Sequence, residues 1–237
     1  MTIRGGYAGT VLQVDLSRGE VHKEPLDEGL ARAYIGGRGF TSRLQYDLIQ
    51  PEVDPLSPGN VVILAPGPLS GTPAPSSGRF TLGGRSPLTG VLGDANSGGF
   101  FGAILKRAGY DLILFHGQSP QPVYLWIWND GVELRDARPL WGKDTHETAR
   151  LIKEEVGRAI STAIIGQAGE NLVHFAGLIV DGEHAAARTG LGAVLGSKKL
   201  KGIAVRGTHD VPICDPNAFE ALSQELYEIL KEDSRSG

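Results

Sequence analysis

The stretch PGPLSGTPAPSSGRFTLGGRSPLTGVLGDANSGGFFGAILKRAGY, residues 66–110, organises the rest of the chain, and we call it the first arm. It is rich in glycine and proline but ends in an amphipathic run, which a flexible linker would not need. Glycines in such a segment allow positive φ or a close approach of the backbone to another group. The run SGGFFGAILKRAG predicts a helix whose free N–H groups favour an anion. We therefore expect this arm to hold a polyanionic, phosphate-bearing ligand with its backbone and one arginine.

The composition is that of a globular protein, with 41% hydrophobic and 21% charged residues among 237. The net charge of −4 without any block of like charge argues against nucleic acid or an anionic membrane as the main partner. A single cysteine, Cys214, excludes an internal disulfide and an iron–sulfur site made only from this chain's cysteines. No apolar run approaches the roughly 20 residues of a membrane helix and no signal pattern is present, so we expect a cytoplasmic protein.

Alternating apolar and polar residues predict two hairpins. The first covers residues 6–25, and the second covers residues 123–136 with a turn at Asp130-Gly131. Trp126 and Trp128 share one face of the second hairpin. We interpret this aromatic stripe as sheet packing rather than as a stacking platform for a ligand.

Capping signals predict three helices, which begin after Asp27, Asp144 and Asp215. GGRGF at residues 36–40 ends the first of these helices and opens another. The residues leave two interpretations of this glycine cluster equally open, a corner between two helices or a contact with a ligand.

The remaining segments predict short strands, so the chain has about ten strands and three or four short helices. The predicted fold class is α+β, with mainly antiparallel sheets and helices packed to one side. The segments concerned are residues 60–65, 111–117, 160–166, 171–182 and 201–207, with QAGE at 167–170 as a connection.

A second glycine- and arginine-rich segment, DGEHAAARTGLGAVLGSKKLKGIAVRG at residues 181–207, is called the second arm. Its glycine pattern fits neither a dinucleotide-binding turn nor a P-loop, because no evident strand precedes it and the spacing is wrong. Glu170 and Asp181 could act as acid or base, but solvated or turn-capping roles are the preferred interpretation. Since no residue pattern supplies a nucleophile, a metal cage or a redox centre, the ligand must bring its own chemistry, as cofactors do.

The tail is interpreted as the first helix of a further domain that is missing from this sequence. Phe219, Leu222, Leu226 and Ile229 recur at helical spacing and form one apolar stripe. The expected domains are therefore residues 1–212 and residues 213–237. A helix docked on the first domain is the alternative.

The two arms, together with LWGKDTHET at residues 140–148, resemble the N-terminal domain of aldehyde ferredoxin oxidoreductases. The resemblance runs from about Gly6 to Pro212. It implies a two-sheet base under a tungsten or molybdenum cofactor with two pterins, whose dithiolenes supply the sulfur ligands of the metal. It also implies a magnesium ion that links the two pterin phosphates.

The resemblance places cofactor contacts at seven positions and assigns no catalytic residue. It implies that Arg79 contacts pterin and lies toward an iron–sulfur cluster. It also implies that the backbone carbonyls of Asn96 and Ala185 hold the magnesium. This sequence has histidine and alanine at two positions where the family commonly has arginine and glycine. The seven positions are Arg79, Asn96, Gly98, His184, Ala185, Ala187 and Arg188.

The resemblance implies an enzyme that, as a full-length chain, oxidises aldehydes to carboxylic acids and passes electrons through an iron–sulfur cluster to ferredoxin. The cysteines for that cluster would lie in C-terminal domains that this sequence lacks. We expect the chain alone to be inactive, to carry neither metal nor pterin, and to form a homodimer through its exposed inner face and its tail. Two alternatives remain: a stand-alone module that binds pterin or another phosphorylated ligand without redox activity, and a β scaffold with an empty ligand face.

Overall fold

Two six-stranded sheets form the protein in a computed structural model that describes residues 5–233. The first sheet has the strand order β2-β1-β6-β3-β4-β5, and the second has the order β11-β10-β9-β12-β7-β8. The strands of the first sheet are β1 (Thr10–Asp15), β2 (Glu20–Pro25), β3 (Val62–Pro66), β4 (Phe80–Arg85), β5 (Leu92–Ser97) and β6 (Leu112–His116). Those of the second are β7 (Val123–Trp128), β8 (Gly131–Asp136), β9 (Ser161–Ile164), β10 (Leu178–Val180), β11 (His184–Ala186) and β12 (Leu200–Arg206).

The described residues contain seven α-helices, of which α7 follows the last strand and the others lie between strands. A short 3-10 turn at Arg138–Leu140 precedes the fourth of them. The helices are α1 (Glu28–Tyr34), α2 (Arg38–Leu48), α3 (Phe101–Arg107), α4 (Thr145–Val156), α5 (Gln167–Glu170), α6 (Leu191–Ser197) and α7 (Pro216–Glu232).

The two halves of the chain repeat one topology. Each half begins with a hairpin (β1–β2 or β7–β8), continues through helix and strand (β3 or β9) to a second hairpin (β4–β5 or β10–β11), and then forms a short helix (α3 or α6). The last strand of each half returns parallel to its first strand, β6 beside β1 and β12 beside β7. The second hairpin of each half therefore ends at a sheet edge, so β5 and β11 are equivalent edge strands.

The main core lies between the two sheets and includes the short helices α3 and α6. Leu12 and Phe115 reach it from the first sheet, and Leu125 and Val205 reach it from the second. The outer face of the first sheet packs against α1 and α2, and that of the second packs against α4. The edge strands β5 and β11 contact each other where the two sheets meet.

Several sequence predictions are confirmed. Both hairpins form as predicted. Asp27, Asp144 and Asp215 each accept a hydrogen bond from a backbone N–H of the helix that follows. The α+β class with two sheets is also confirmed, and eight of ten strand pairings are antiparallel. The prediction that the helices pack to one side is wrong, because helices lie on the outer faces of both sheets and also between the sheets.

The predicted element list is wrong in three places. The first arm contains the hairpin β4–β5, because its alternation of Phe80 and Leu82 with small residues suffices for a strand that is buried on both faces. The connection QAGE is the helix α5, and residues 171–177 are not part of a strand. The second arm contains α6, whose glycines allow close packing in a helix rather than breaking it. No helix within residues 5–233 combines the length and apolar character needed to cross a membrane.

Candidate cofactor-binding site

The two arms meet where the edge strands of the two sheets lie side by side, β5 against β11. A Cβ atom added at Gly93 would lie 3.2 Å from Thr189 Oγ1, and one added at Gly99 would lie 2.6 Å from His184 Cδ2. These two contacts show that the arms run antiparallel along each other. Ser86 closes one end of the seam by donating its hydroxyl hydrogen to the carbonyl of Thr189 at 2.7 Å.

In the first arm, Arg79 and Asn96 are joined directly. Thr81 pairs with Asn96 across the β4–β5 ladder, so the side chain of Arg79, two residues before Thr81, emerges on the same face. Arg79 Nη1 donates to Asn96 Oδ1 at 2.6 Å. Gly98 follows on the same segment, and a Cβ atom there would meet nothing within 4 Å. This part of the arm therefore offers bare backbone and a guanidinium to an open space.

In the second arm, His184, Ala185, Ala187 and Arg188 are exposed, whereas Ala186 is buried in the core. Ala185 and Asn96 both lie on edge strands, and an edge strand leaves part of its backbone carbonyls without a ladder partner. The structure thus brings all seven sequence-predicted positions to the two sides of one seam. Their roles as cofactor contacts remain predictions.

The charge at the seam suits an anion. Within residues 5–233, neither Arg79 nor Arg188 forms a salt bridge with a carboxylate, whereas Arg38 and Arg43 do. A guanidinium stays charged in proteins and binds phosphate oxygens well. Two unpaired arginines, exposed backbone and a pair of edge strands therefore fit a phosphate-bearing cofactor with a hard divalent cation.

Close packing of glycines fixes the second arm. A Cβ atom at Gly190 would lie 1.8 Å from the His174 carbonyl oxygen, and one at Gly196 would lie 1.9 Å from the Gly169 carbonyl oxygen. Gly190 also has φ +73°, which favours glycine. The pattern Gly190-x-Gly192-x-x-x-Gly196 therefore brings α6 against residues 169–177, in agreement with the rejection of a dinucleotide-binding turn.

The GGRGF segment lies beside the first arm. Gly37 donates its N–H to the Pro66 carbonyl at 3.1 Å and precedes α2 with φ +49°. Arg38 then forms a two-pronged salt bridge with Asp94 of β5, with both N–O distances at 2.9 Å. This hydrogen-bonded carboxylate raises the pKa of Arg38. The segment is a corner between α1 and α2, as one of the two interpretations proposed.

Glu170 and Asp181 have structural roles. Glu170 pairs with Lys201 in a site where the two side chains are 5% and 0% exposed, and it also accepts from the Gly142 N–H at 2.8 Å. Asp181 accepts from the Thr162 N–H at 2.7 Å and from the Ser161 hydroxyl at 2.6 Å. The Asp181 carboxylate therefore binds the start of β9 rather than capping its own turn, and the Glu170 side chain is buried rather than solvated.

Buried lysines were missed at the sequence level. Lys106, Lys198 and Lys201 are fully buried, and Lys106 pairs with Asp111. Lys198 donates to the Gly117 carbonyl at 2.7 Å, and burial lowers its pKa to about 8. A lysine in a sequence pattern looks the same whether its amine is solvated or buried, so no local signal could have found them.

The aromatic stripe of the second hairpin packs as interpreted at Tyr124 and Trp126, whereas Trp128 is exposed. Trp126 is 6% exposed, and its ring stacks on that of Trp128 with centroids 5.7 Å apart. Within residues 5–233, no group of three or more His, Cys, Asp or Glu side chains could hold a metal ion.

Comparison with known proteins identifies the family. The family model for the aldehyde ferredoxin oxidoreductase N-terminal domain matches residues 11–207. A tungsten-containing aldehyde ferredoxin oxidoreductase of Thermococcus kodakarensis is 49% identical over 233 residues, which is 98% of this chain and 38% of the relative. The WOR-like subunit of an aliphatic sulfonate oxidoreductase from Pyrococcus furiosus is 35% identical and matches 94% of this chain and 38% of its own length.

A solved structure shows the same fold. The active-site complex BamBC of benzoyl coenzyme A reductase, bound to 1,5-dienoyl-CoA, superposes with a TM-score of 0.95 and 41% identity over 98% of this chain and 36% of that chain. The chain thus spans well under half the length of these relatives. The chain belongs to the aldehyde ferredoxin oxidoreductase family and corresponds to its N-terminal domain.

Proposed function

We propose that this chain is the cofactor-binding N-terminal part of a tungsten-containing oxidoreductase that converts aldehydes to carboxylic acids. In that reaction, aldehyde and water give acid, two protons and two electrons, and the electrons pass through an iron–sulfur cluster to ferredoxin. The cluster and the rest of the substrate pocket would come from C-terminal domains, which make up the remaining length of the relatives. The names of these relatives support tungsten over molybdenum, and they give no support to a stand-alone pterin-binding module.

One observation carries the proposal: the two arms form a single seam that is cationic and rich in exposed backbone. Arg79 and Arg188 stand on its two sides without carboxylate partners in the described part of the chain, and nothing occupies the space above Gly98. Since each arginine can bind one phosphate group, arginines on both sides of the seam suit a ligand that carries a phosphate at each end.

The residues of the seam then have separate roles. Arg79 and Arg188 donate hydrogen bonds to pterin or phosphate oxygens, and the amide of Asn96 holds the Arg79 guanidinium in place. The backbone carbonyls of Asn96 and Ala185 would hold a magnesium ion, which takes oxygen ligands. When bound, the tungsten centre supplies the two-electron chemistry, for which this chain has no side chains of its own.

His184, Ala187 and Gly98 shape the same surface. His184 packs over Gly99, so its imidazole can donate to a phosphate from the first arm's side of the seam. Ala187 is in contact with Gly177, where an added Cβ atom would come 2.8 Å from Ala187 Cα. Gly98 has no side chain, so the cofactor can approach the backbone closely at this position.

The isolated chain is expected to carry neither tungsten, molybdenum nor pterin, because half a cleft encloses too little of a ligand to retain it. Metal analysis of the purified 237-residue chain tests this expectation. A cytoplasmic location is part of the same proposal, and cell fractionation tests it.

The proposal is tested in the whole enzyme, with Arg79→Gln and Arg188→Gln compared with Arg150→Gln. Arg150 pairs with Glu154 on α4, which packs against the outer face of the second sheet, and it serves as the matched control. We expect the two seam variants to contain less tungsten and pterin per polypeptide than the control while keeping its thermal midpoint. Wild-type enzyme without tungsten or pterin, or seam variants with the cofactor content of the control, would contradict the proposed function.

A further inference from the structure

Arg38 lies on the same face of the first sheet as the candidate site. Asp94, its partner, precedes Asn96 by two residues on β5, so the two side chains emerge on one face. Thr81 faces Asn96 across the ladder, and a Cβ atom at Gly37 would lie 3.5 Å from Thr81 Oγ1. The start of α2 therefore adjoins the strand pair that carries Arg79 and Asn96.

Several contacts fix the start of α2 to the sheet. Gly36 packs on the end of β3, where an added Cβ atom would come 3.2 Å from the Pro66 carbonyl oxygen. Further along the helix, Gln45 Nε2 donates to the Gly93 carbonyl at 3.2 Å. Gly83 makes this approach possible, because a Cβ atom there would lie 2.7 Å from both Gln45 and Thr41. Arg38 is thus attached to a helix whose position over β5 is set from both ends.

The guanidinium of Arg38 is only half used. Its Nε and Nη2 donate to the two oxygens of Asp94, and Nη1 has no partner among residues 5–233. The Asp94 side chain is 16% exposed, whereas that of Arg38 is 70% exposed. The Asp94 carboxylate on the sheet therefore binds one edge of the guanidinium, and the other edge faces solvent and can donate hydrogen bonds. An ordinary surface pair such as Arg43–Asp47 has both partners similarly exposed, at 39% and 35%.

We propose that Arg38 is a third arginine of the cofactor site, donating from Nη1 to an anionic group of the bound pterin cofactor, and that Asp94 is the positioning residue that aims it. This inference rests on the proposed function. It joins the two interpretations of GGRGF, since the corner between α1 and α2 is then also the point that delivers a ligand contact.

The test uses the whole enzyme and measures how fast tungsten and pterin are lost during dialysis, by metal analysis and by fluorescence of the oxidised pterin. Arg38→Gln should lose both about tenfold faster than wild type, as removal of one charge-assisted hydrogen bond predicts. Asp94→Asn keeps the arginine but weakens the two-pronged interaction that positions it. This variant should therefore lose tungsten and pterin about threefold faster than wild type. Arg38→Lys should lose cofactor at a rate between those of wild type and Arg38→Gln, because lysine keeps the positive charge but cannot form the two-pronged interaction.

Arg43→Gln is the control, because it breaks a salt bridge on the same helix away from the seam. Thermal midpoints of the cofactor-free proteins show whether each variant is folded, and exposed pairs of this kind affect them little. If Arg38→Gln retains cofactor as long as Arg43→Gln while Arg79→Gln loses it, this inference is overturned and the proposed function stands. If wild type holds no tungsten or pterin, the proposed function is wrong, and this inference, which rests on it, is wrong as well.

Discussion

The two arms occupy equivalent places in the two halves of the fold, yet they use glycine for different purposes. In the first arm, Gly98 has open space where a Cβ atom would stand. In the second arm, Gly190 and Gly196 touch other backbone so closely that a Cβ atom would overlap a carbonyl oxygen. Gly98 thus leaves the space beside its backbone open, whereas Gly190 and Gly196 anchor the second arm through backbone contacts. Glycine count alone therefore does not distinguish a binding loop from a packing surface.

Each arm also rests on a buried ion pair. Lys106–Asp111 lies at the end of the first arm, where Asp111 also accepts from the N–H of Gly9 at 2.6 Å. Lys201–Glu170 lies under the second arm and connects α5 to the loop at Gly142 and Lys143. The first pair holds the N-terminal segment, and the second holds the helix on which α6 packs.

The largest expected effect comes from breaking the pair under the second arm. Lys201→Met should lower the free energy of unfolding by roughly 3–5 kcal/mol, because it leaves the Glu170 carboxylate buried without its cation. Urea denaturation measures this change. The double variant Lys201→Met/Glu170→Met should recover part of the loss, and a double variant less stable than the single one would contradict the argument.

Gly196→Ala should have the next largest effect. Its Cβ atom would meet the Gly169 carbonyl group, which is backbone and cannot move aside without shifting α5. We expect a loss of roughly 3 kcal/mol in the free energy of unfolding. Gly98→Ala is the matched control in the first arm and should cost less than about 1 kcal/mol, since its Cβ atom meets nothing. Equal losses in the two variants would remove the distinction between the arms.

Lys198, the residue that follows α6 in the second arm, should make the stability of the molecule depend on pH. Its pKa is about 8 in the folded protein against 10.5 as the ordinary value, so the folded state binds fewer protons between these two pH values. Stability should therefore rise from pH 8 toward pH 10.5 by roughly 2 kcal/mol through this group, and the group should contribute no slope well below pH 8. Urea titrations of wild type and Lys198→Met across this range measure the difference in slope. Identical slopes would show that the buried amine does not titrate there.

The smallest effect on stability is expected in the tail helix α7, outside both arms. Leu222, Leu226 and Ile229 are 55%, 40% and 54% exposed, so Leu226→Glu should change the free energy of unfolding by less than about 0.5 kcal/mol. The same variant should abolish the homodimer that we predict for the isolated chain, because exposed apolar surface of this extent promotes association. Light scattering at high concentration distinguishes the two states, and a monomeric wild type would end the dimer prediction.

Much of the fold could be predicted because its signals are local. The hairpin at Asp130-Gly131 and the caps at Asp27, Asp144 and Asp215 depend on a few neighbouring residues, and all of them form. The parallel pairing of β6 with β1 could not be predicted, because it joins segments about a hundred residues apart and leaves no mark on either. The repeat of one topology in the two halves of the chain could not be predicted either, because it depends on the pairing of strands that are distant in sequence.

The candidate site likewise contains residues that the sequence indicated and one residue that only the structure revealed. The sequence resemblance pointed to the residues of both arms, and the structure brings them to one seam. Arg38 was hidden in a glycine cluster that could equally have been a simple corner, and only its contact with Asp94 distinguishes it. Side chains whose role depends on a partner distant in sequence require the structure.

The most direct test of the central claim is the position of the metal in a crystal of the whole enzyme, located by anomalous scattering at the tungsten absorption edge. The account predicts one tungsten peak facing the seam between β5 and β11, with the Asn96 and Ala185 carbonyls directed at a magnesium ion beside it. A tungsten peak on another face of this domain, or one that leaves Arg79 and Arg188 on opposite sides of the protein from the metal, would contradict it.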